Sequence, residues 1–154
     1  MFLSRGQKVG DCPDRFEGKQ VMSIQNNGAS TKFANSGGLV GKRILVAEDE
    51  GLIAMDIEMA FQDSLAEVIG PLPTLAAVLR AVEHEDIDCA VLDVRLADAE
   101  VYPAARKLRE RGTPIVFHSG HASSSRLMQD YPDAVVCSKP CGSDEIVRRT
   151  ARLL

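Results

Sequence analysis

Five polar positions stand directly after short apolar runs, and their types suit phosphoryl chemistry: Glu48 and Asp49, Asp93, Ser119, and Lys139 followed by Pro140. Three carboxylates brought close together strongly disfavour joint ionisation unless a cation sits among them. Oxygen-only ligands from carboxylates, completed by water and a backbone carbonyl, suit Mg²⁺ far better than Zn²⁺ or copper. A carboxylate can act as nucleophile toward phosphorus while a metal ion neutralises the phosphoryl oxygens. A lysine and a hydroxyl can hold the others, which is positioning plus electrostatic stabilisation.

These side chains need elements that carry them to one place. Ile44-Leu45-Val46-Ala47 reads as a buried parallel strand that stops at Glu48-Asp49-Glu50. Ile53, Ile57, Ala60 and Phe61 then fall on one helix face. Val68-Ile69-Gly70-Pro71 closes a second strand with breakers, and Leu75, Val78, Leu79 and Val82 form another helical stripe. Cys89-Ala90-Val91-Leu92 is a third strand ending at Asp93, followed by a helix face of Val101, Ala104, Ala105 and Leu108 that stops at Gly112.

Pro114-Ile115-Val116-Phe117 is the fourth strand, and the polar stretch from His121 to Asp130, with Ser123-Ser124-Ser125, allows only a short helix anchored by Leu127 and Met128. Ala134-Val135-Val136-Cys137 makes a fifth strand. Ile146, Val147, Thr150 and Leu153 mark a last helix with Ser143 as its N-cap. Strands alternating with helices mean right-handed βαβ units, hence an α/β fold: a five-stranded parallel sheet with helices on both faces. Ligands in such sheets bind at the carboxyl ends of the strands, which is where the five polar positions fall.

At 154 residues the chain fits one domain, since single cores take about 100–200 residues. Apolar residues make up 45% and charged residues 26%, the balance of an ordinary globular protein. A net charge of -4 and a pI near 5.4 argue against direct nucleic-acid binding, which takes concentrated Lys and Arg. No apolar run approaches the roughly 18 residues that span a bilayer, and no hydrophobic signal core opens the chain, so no membrane contact and a cytoplasmic location are expected.

Residues 1–41 are polar and glycine-bearing without an apolar period, and read as a flexible extension ahead of a domain at 42–154; Met22 serves equally well as a start. Cys12, Cys89, Cys137 and Cys141 are scattered and read as reduced and structural.

From Lys42 to Leu154 the chain resembles the receiver domain of bacterial response regulators in two-component signalling (the CheY-like family). The resemblance rests on Ile44-Leu45-Val46-Ala47-Glu48-Asp49-Glu50, Val91-Leu92-Asp93-Val94, Ser119-Gly120 and Ser138-Lys139-Pro140. It implies a flavodoxin-like strand order 2-1-3-4-5. It implies Mg²⁺ held by Glu48, Asp49, Asp93 and the backbone carbonyl of Arg95, and phosphorylation of Asp93 by a histidine kinase or phosphotransfer protein. Ser119 would answer the phosphoryl group, Lys139 would pair with it, and Lys139-Pro140 would be a cis peptide.

The output would be a switch in protein–protein interactions with a downstream partner, from a monomer or weak homodimer that catalyses only its own phosphorylation and dephosphorylation. With no output domain after the last helix, docking would use the loop after strand four, strand five and that helix. Val136 stands where the family often has an aromatic switch residue, so a different relay is required. The stretch Pro114-Ile115-Val116-Phe117-His118-Ser119-Gly120-His121 looks like a divergent version of the FATGUY-type single-domain regulators of alphaproteobacteria, with His118 for the small residue and Ser119 for the Thr.

Arg95 and His121 flank the site, and Arg95 is expected to contact or shield the phosphoryl oxygens and so set the lifetime of the phosphorylated state. Two alternatives stay open. A phosphatase of the haloacid-dehalogenase type also uses a strand-end Asp, Mg²⁺, a Ser and a Lys, but wants a second Asp where Arg95 stands. A pseudo-receiver would bind partners without phosphorylation, against which the full set Glu48, Asp49, Asp93 and Lys139 speaks. Acidic residues after a strand also serve simply as helix caps. A Zn²⁺ site from His118, His121, Cys137 and Cys141 matches no standard spacing.

Overall fold

The structure is a computed structural model that describes residues 38–120 and 124–154. Residues 1–37, with Cys12 and Met22, and residues 121–123, with His121, lie outside the described residues. Five strands and five helices alternate: β1 (Arg43–Ala47), α1 (Gly51–Asp63), β2 (Glu67–Leu72), α2 (Leu75–His84), β3 (Cys89–Asp93), α3 (Tyr102–Glu110), β4 (Ile115–Ser119), α4 (Ser124–Asp130), β5 (Val135–Ser138) and α5 (Ser143–Ala151). All pairings are parallel and the order is β2-β1-β3-β4-β5, as expected.

Successive residues of a strand face opposite sides of the sheet, so each strand feeds two cores. Leu45, Ala47, Ala90, Leu92 and Phe117 pack against α2, α3 and α4 through Val78, Val82, Ala105, Leu108 and Leu127. Ile44, Val46, Val91, Val116 and Cys137 pack against α1 and α5 through Ile57, Phe61, Ile146 and Val147. Central strands buried on both sides explain why β1, β3 and β4 read as unbroken apolar runs without alternation.

Three details depart from the sequence reading. β2 does not stop at Gly70-Pro71 but runs through it to Leu72, with the register against β1 shifting between Leu45 and Ala47. The edge position tolerates the proline. Gly70 has φ +121°, and a Cβ there would meet the Val46 carbonyl at 2.6 Å, so only glycine fits. Ser143 is the first residue of α5 rather than its cap, and the N-cap is Gly142 with no side-chain bond. Leu39 is fully buried against Ile44, Ile57 and Phe61, so the packed core takes in a side chain from the stretch read as an extension. The rest of that 1–41 segment falls outside the described residues, residues 38–41 excepted.

The cysteines Cys89, Cys137 and Cys141 are free. Burial in an apolar strand pushes the Cys89 thiol up to about 12, in keeping with a structural role. Among the described residues no helix is long and apolar enough to cross a membrane.

Candidate functional site

Asp93 is the last residue of β3, and its carboxylate sits at the carboxyl end of the sheet, 8% exposed. Its Oδ1 accepts the Arg95 backbone N–H at 3.0 Å and its Oδ2 accepts Lys139 Nζ at 2.6 Å. Burial, reinforced by the Glu48 charge, holds Asp93 above the usual carboxylate range despite the Lys139 and Arg95 hydrogen bonds.

Glu48 leaves the end of β1 and points inward, with its side chain 1% exposed. Glu48 Oε1 accepts the Glu50 N–H at 3.2 Å, and Oε2 accepts Lys139 Nζ at 3.1 Å. Burial pushes its acidity toward the neutral form, but the His118 ring, the Glu50 amide and Lys139 outweigh that and hold Glu48 below its ordinary value. Asp49, the next residue, is exposed. Ligand atoms of Glu48, Asp49 and Asp93 all lie within 4.8 Å of one another, so folding does bring the three carboxylates into one cluster.

Lys139 reaches this cluster from the loop after β5, through a cis peptide to Pro140. Besides Asp93 and Glu48, its ammonium stands 3.4 Å from Glu50 Oε1. Its partial burial opposes the charge, yet the Asp93 hydrogen bond and the charges of Asp93 and Glu48 raise its pKa, so it remains an ammonium. Ser119 ends β4 fully buried, one residue beyond His118, which is the register partner of Asp93. Its hydroxyl donates to the Gly120 carbonyl at 2.9 Å, and its own carbonyl accepts the Lys139 N–H at 2.7 Å. Ser119 thus shares a backbone link with the lysine loop.

The donor set fits Mg²⁺: three carboxylates, oxygen atoms only, in a cluster that one ammonium leaves negative. Among the described residues this is the group with metal-ligating proximity, and no His or Cys joins it.

Arg95 holds Asp93 through its backbone while its side chain is exposed. Its loop is tied to α2: Asp98 accepts the Leu75 and Ala76 N–H groups, and Ala97 N–H donates to the Pro73 carbonyl. Val136 is half-buried against a cluster in which Tyr131 meets Phe117 edge-on at 5.2 Å and Tyr102 at 6.5 Å.

Sequence reasoning missed Glu50 as a further anion on Lys139, and missed His118 as the neighbour of Glu48. The first was legible in the Glu48-Asp49-Glu50 run. The second depended on knowing which face of an unpatterned strand each residue takes. Sequence reasoning also overlooked an open cavity beside the cluster, lined by Leu52, Ile53, Asp56, Lys139 and Pro140 among others. Leu52, which lines it, stands exposed on α1 with Met55 and Met59.

The sequence profile of the response regulator receiver domain family matches residues 44–151. Among solved structures the chain is similar to a response regulator receiver protein from Sinorhizobium medicae, at 27% identity and a TM-score of 0.67, covering 73% of this chain and 94% of that one. SdrG from Sphingomonas melonis Fr1 is 34% identical with a TM-score of 0.62, over 74% of this chain and 98% of that one. The response regulator PhyR from Brucella abortus is 28% identical with a TM-score of 0.64, over 77% of this chain but 49% of its own. A search of curated proteins finds no match.

Proposed function

From the premise that this chain belongs to the response regulator receiver domain family, we propose that it is a phosphorylation switch whose acceptor is Asp93. The observation that carries the reading is the meeting, from three separate strand ends, of Glu48, Asp49, Asp93 and Lys139 in one cluster, with Ser119 at a fourth strand end bonded to the Lys139 backbone. Family membership sets aside the haloacid-dehalogenase alternative and makes the chain a signalling component. The pseudo-receiver alternative is an outcome of the test below.

A histidine kinase or phosphotransfer protein presents a phosphohistidine. An Asp93 carboxylate oxygen attacks phosphorus, the O–P bond forms, the P–N bond breaks, and the donor imidazole keeps the electron pair. Glu48, Asp49, Asp93 and the Arg95 carbonyl would hold Mg²⁺, which supplies neutralising charge at the phosphoryl oxygens. Lys139 then exchanges its carboxylate contact for a phosphoryl oxygen. The Ser119 hydroxyl turns from the Gly120 carbonyl toward another such oxygen, and that turn changes the surface around the loop after β4, β5 and α5 that a downstream protein reads. The exposed Leu52, Met55 and Met59, spaced i, i+3 and i+7 along α1, give the donor protein an apolar face beside the site.

Incubation with Mg²⁺ and acetyl phosphate, followed by intact mass, tests the proposal. One phosphoryl adduct on the wild type, absent from Asp93→Asn, is expected. No adduct on the wild type marks a pseudo-receiver. In the same assay Arg95→Ala should lose its adduct faster than the wild type, and equal rates would remove Arg95 from the account.

A further inference from the structure

His118 is a buried side chain whose two ring nitrogens find no hydrogen-bond partner among the described residues. It is 2% exposed and lies on the layer of β4 that faces α1 and α5, paired in register with Asp93 on one side and Cys137 on the other. An unanswered buried polar atom is costly, and a native site rarely leaves one without a purpose. Its Nδ1 stands 3.4 Å from Glu48 Oε2, at the long end of a hydrogen bond, and a shift of a few tenths of an ångström closes the contact.

The environment of Glu48 gives the contact its role. Its Oε1 keeps the Glu50 amide, but its Oε2 shares Lys139 with Asp93 and Glu50. Once Lys139 turns to a phosphoryl group, as in the function proposed above, the His118 ring is what remains on Oε2. We infer that His118 is a positioning residue: it donates its Nδ1–H to Glu48 Oε2 and holds that carboxylate in the orientation in which it meets the metal ion. Hydrogen bonds of this kind orient metal-binding carboxylates and sharpen their affinity. The inference rests on the metal-binding reading of the Glu48–Asp49–Asp93 cluster and adds a residue to it.

The test is calorimetric titration of the full chain with Mg²⁺, at constant pH, for wild type, His118→Leu and His118→Asn. Leucine fills the space without a donor, whereas the asparagine amide nitrogen lies close to where Nδ1 stood. We expect Mg²⁺ to bind about tenfold more weakly to His118→Leu and within about threefold of wild type to His118→Asn. A long-range ¹H–¹⁵N spectrum of the wild-type imidazoles reads the bond directly and needs no variant: Nδ1 of His118 should carry a proton. Leucine binding Mg²⁺ as tightly as histidine, or an Nδ1 without a proton, would overturn the inference while leaving the metal site standing. A wild type that takes up no Mg²⁺ would instead bring down the metal reading itself, and this inference with it. Should His118→Leu fail to fold, His118→Asn and the wild-type spectrum decide.

Discussion

At the amino end of the sheet Arg43 reaches Glu67 at 3.3 Å and Glu85 at 2.6 Å, and Lys42 reaches Asp88 at 3.1 Å. At the carboxyl end Lys139 alone faces Asp93, Glu48 and Glu50, with Asp49 in the same cluster. Both ends bring acids and bases from distant parts of the chain together, but on different terms. The amino-end pairs are open to water, with Glu67 61% exposed, and charge there is nearly balanced, so solvent screens whatever is left over. At the carboxyl end Glu48 and Asp93 are sequestered, with side chains 1% and 11% exposed, and they share one ammonium with the exposed Glu50 while Asp49 adds a further carboxylate to the cluster. The contrast separates a cluster that ties strands together from one that keeps surplus negative charge of the kind a divalent cation fits.

Taking away each end's cation should show the difference most strongly. Lys139→Met, in chelator, leaves Asp93 and Glu48 buried without their ammonium. Denaturant unfolding should show a loss of about 2 kcal/mol, less than the roughly 3–5 of a fully buried pair because Lys139 is 20% exposed. Added Mg²⁺ should recover part of that loss, and failure to recover any would count against the cluster as a cation site.

Asp93→Asn should act in the opposite direction. Relieving one like charge should stabilise the metal-free protein at neutral pH by about 1 kcal/mol. The pH dependence carries a definite sign. Asp93 is raised in the folded state, so in the window between its unfolded and folded values the native chain holds more protons, and stability falls as pH climbs through that window. Thermal midpoints of wild type and Asp93→Asn in chelator should therefore converge toward pH about 4, the unperturbed range of a carboxyl, and separate above it. A constant gap would contradict the assignment.

The smallest effect belongs to the amino end. Arg43→Ala should shift the midpoint little, and 0.5 M salt should remove most of the difference, because these are exposed pairs within reach of counterions. A loss matching that of Lys139→Met would erase the contrast between the two ends.

Much of this was legible in the sequence, for reasons the two ends make plain. Central strands buried on both faces show as apolar runs, and the residue that ends a run is what a parallel sheet presents at its rim, so Glu48, Asp49, Asp93, Ser119 and Lys139 could be placed before any coordinates. The order of the strands came from resemblance, since βαβ alternation fixes handedness but not which strand sits where. Apolar runs also hide which face each residue takes. His118 sits in such a run, and its approach to Glu48 depends on its falling in the Val116 layer rather than the Phe117 layer. Gly70-Pro71 looked like a stop because edge and central strands are not distinguished by local pattern, and only an edge carries a proline through. Leu39 went unnoticed because one apolar residue among glycines has no period.

The central claim is that the carboxyl end holds charge in reserve for a divalent cation, and a thermal unfolding series across Mg²⁺ concentration tests it most directly. At tenfold over its dissociation constant a bound ion adds about 1.4 kcal/mol. The wild-type midpoint should therefore rise by about 5 °C, while Glu48→Gln/Asp49→Asn stays flat. A wild type indifferent to Mg²⁺, or a double variant that rises equally, would contradict the account.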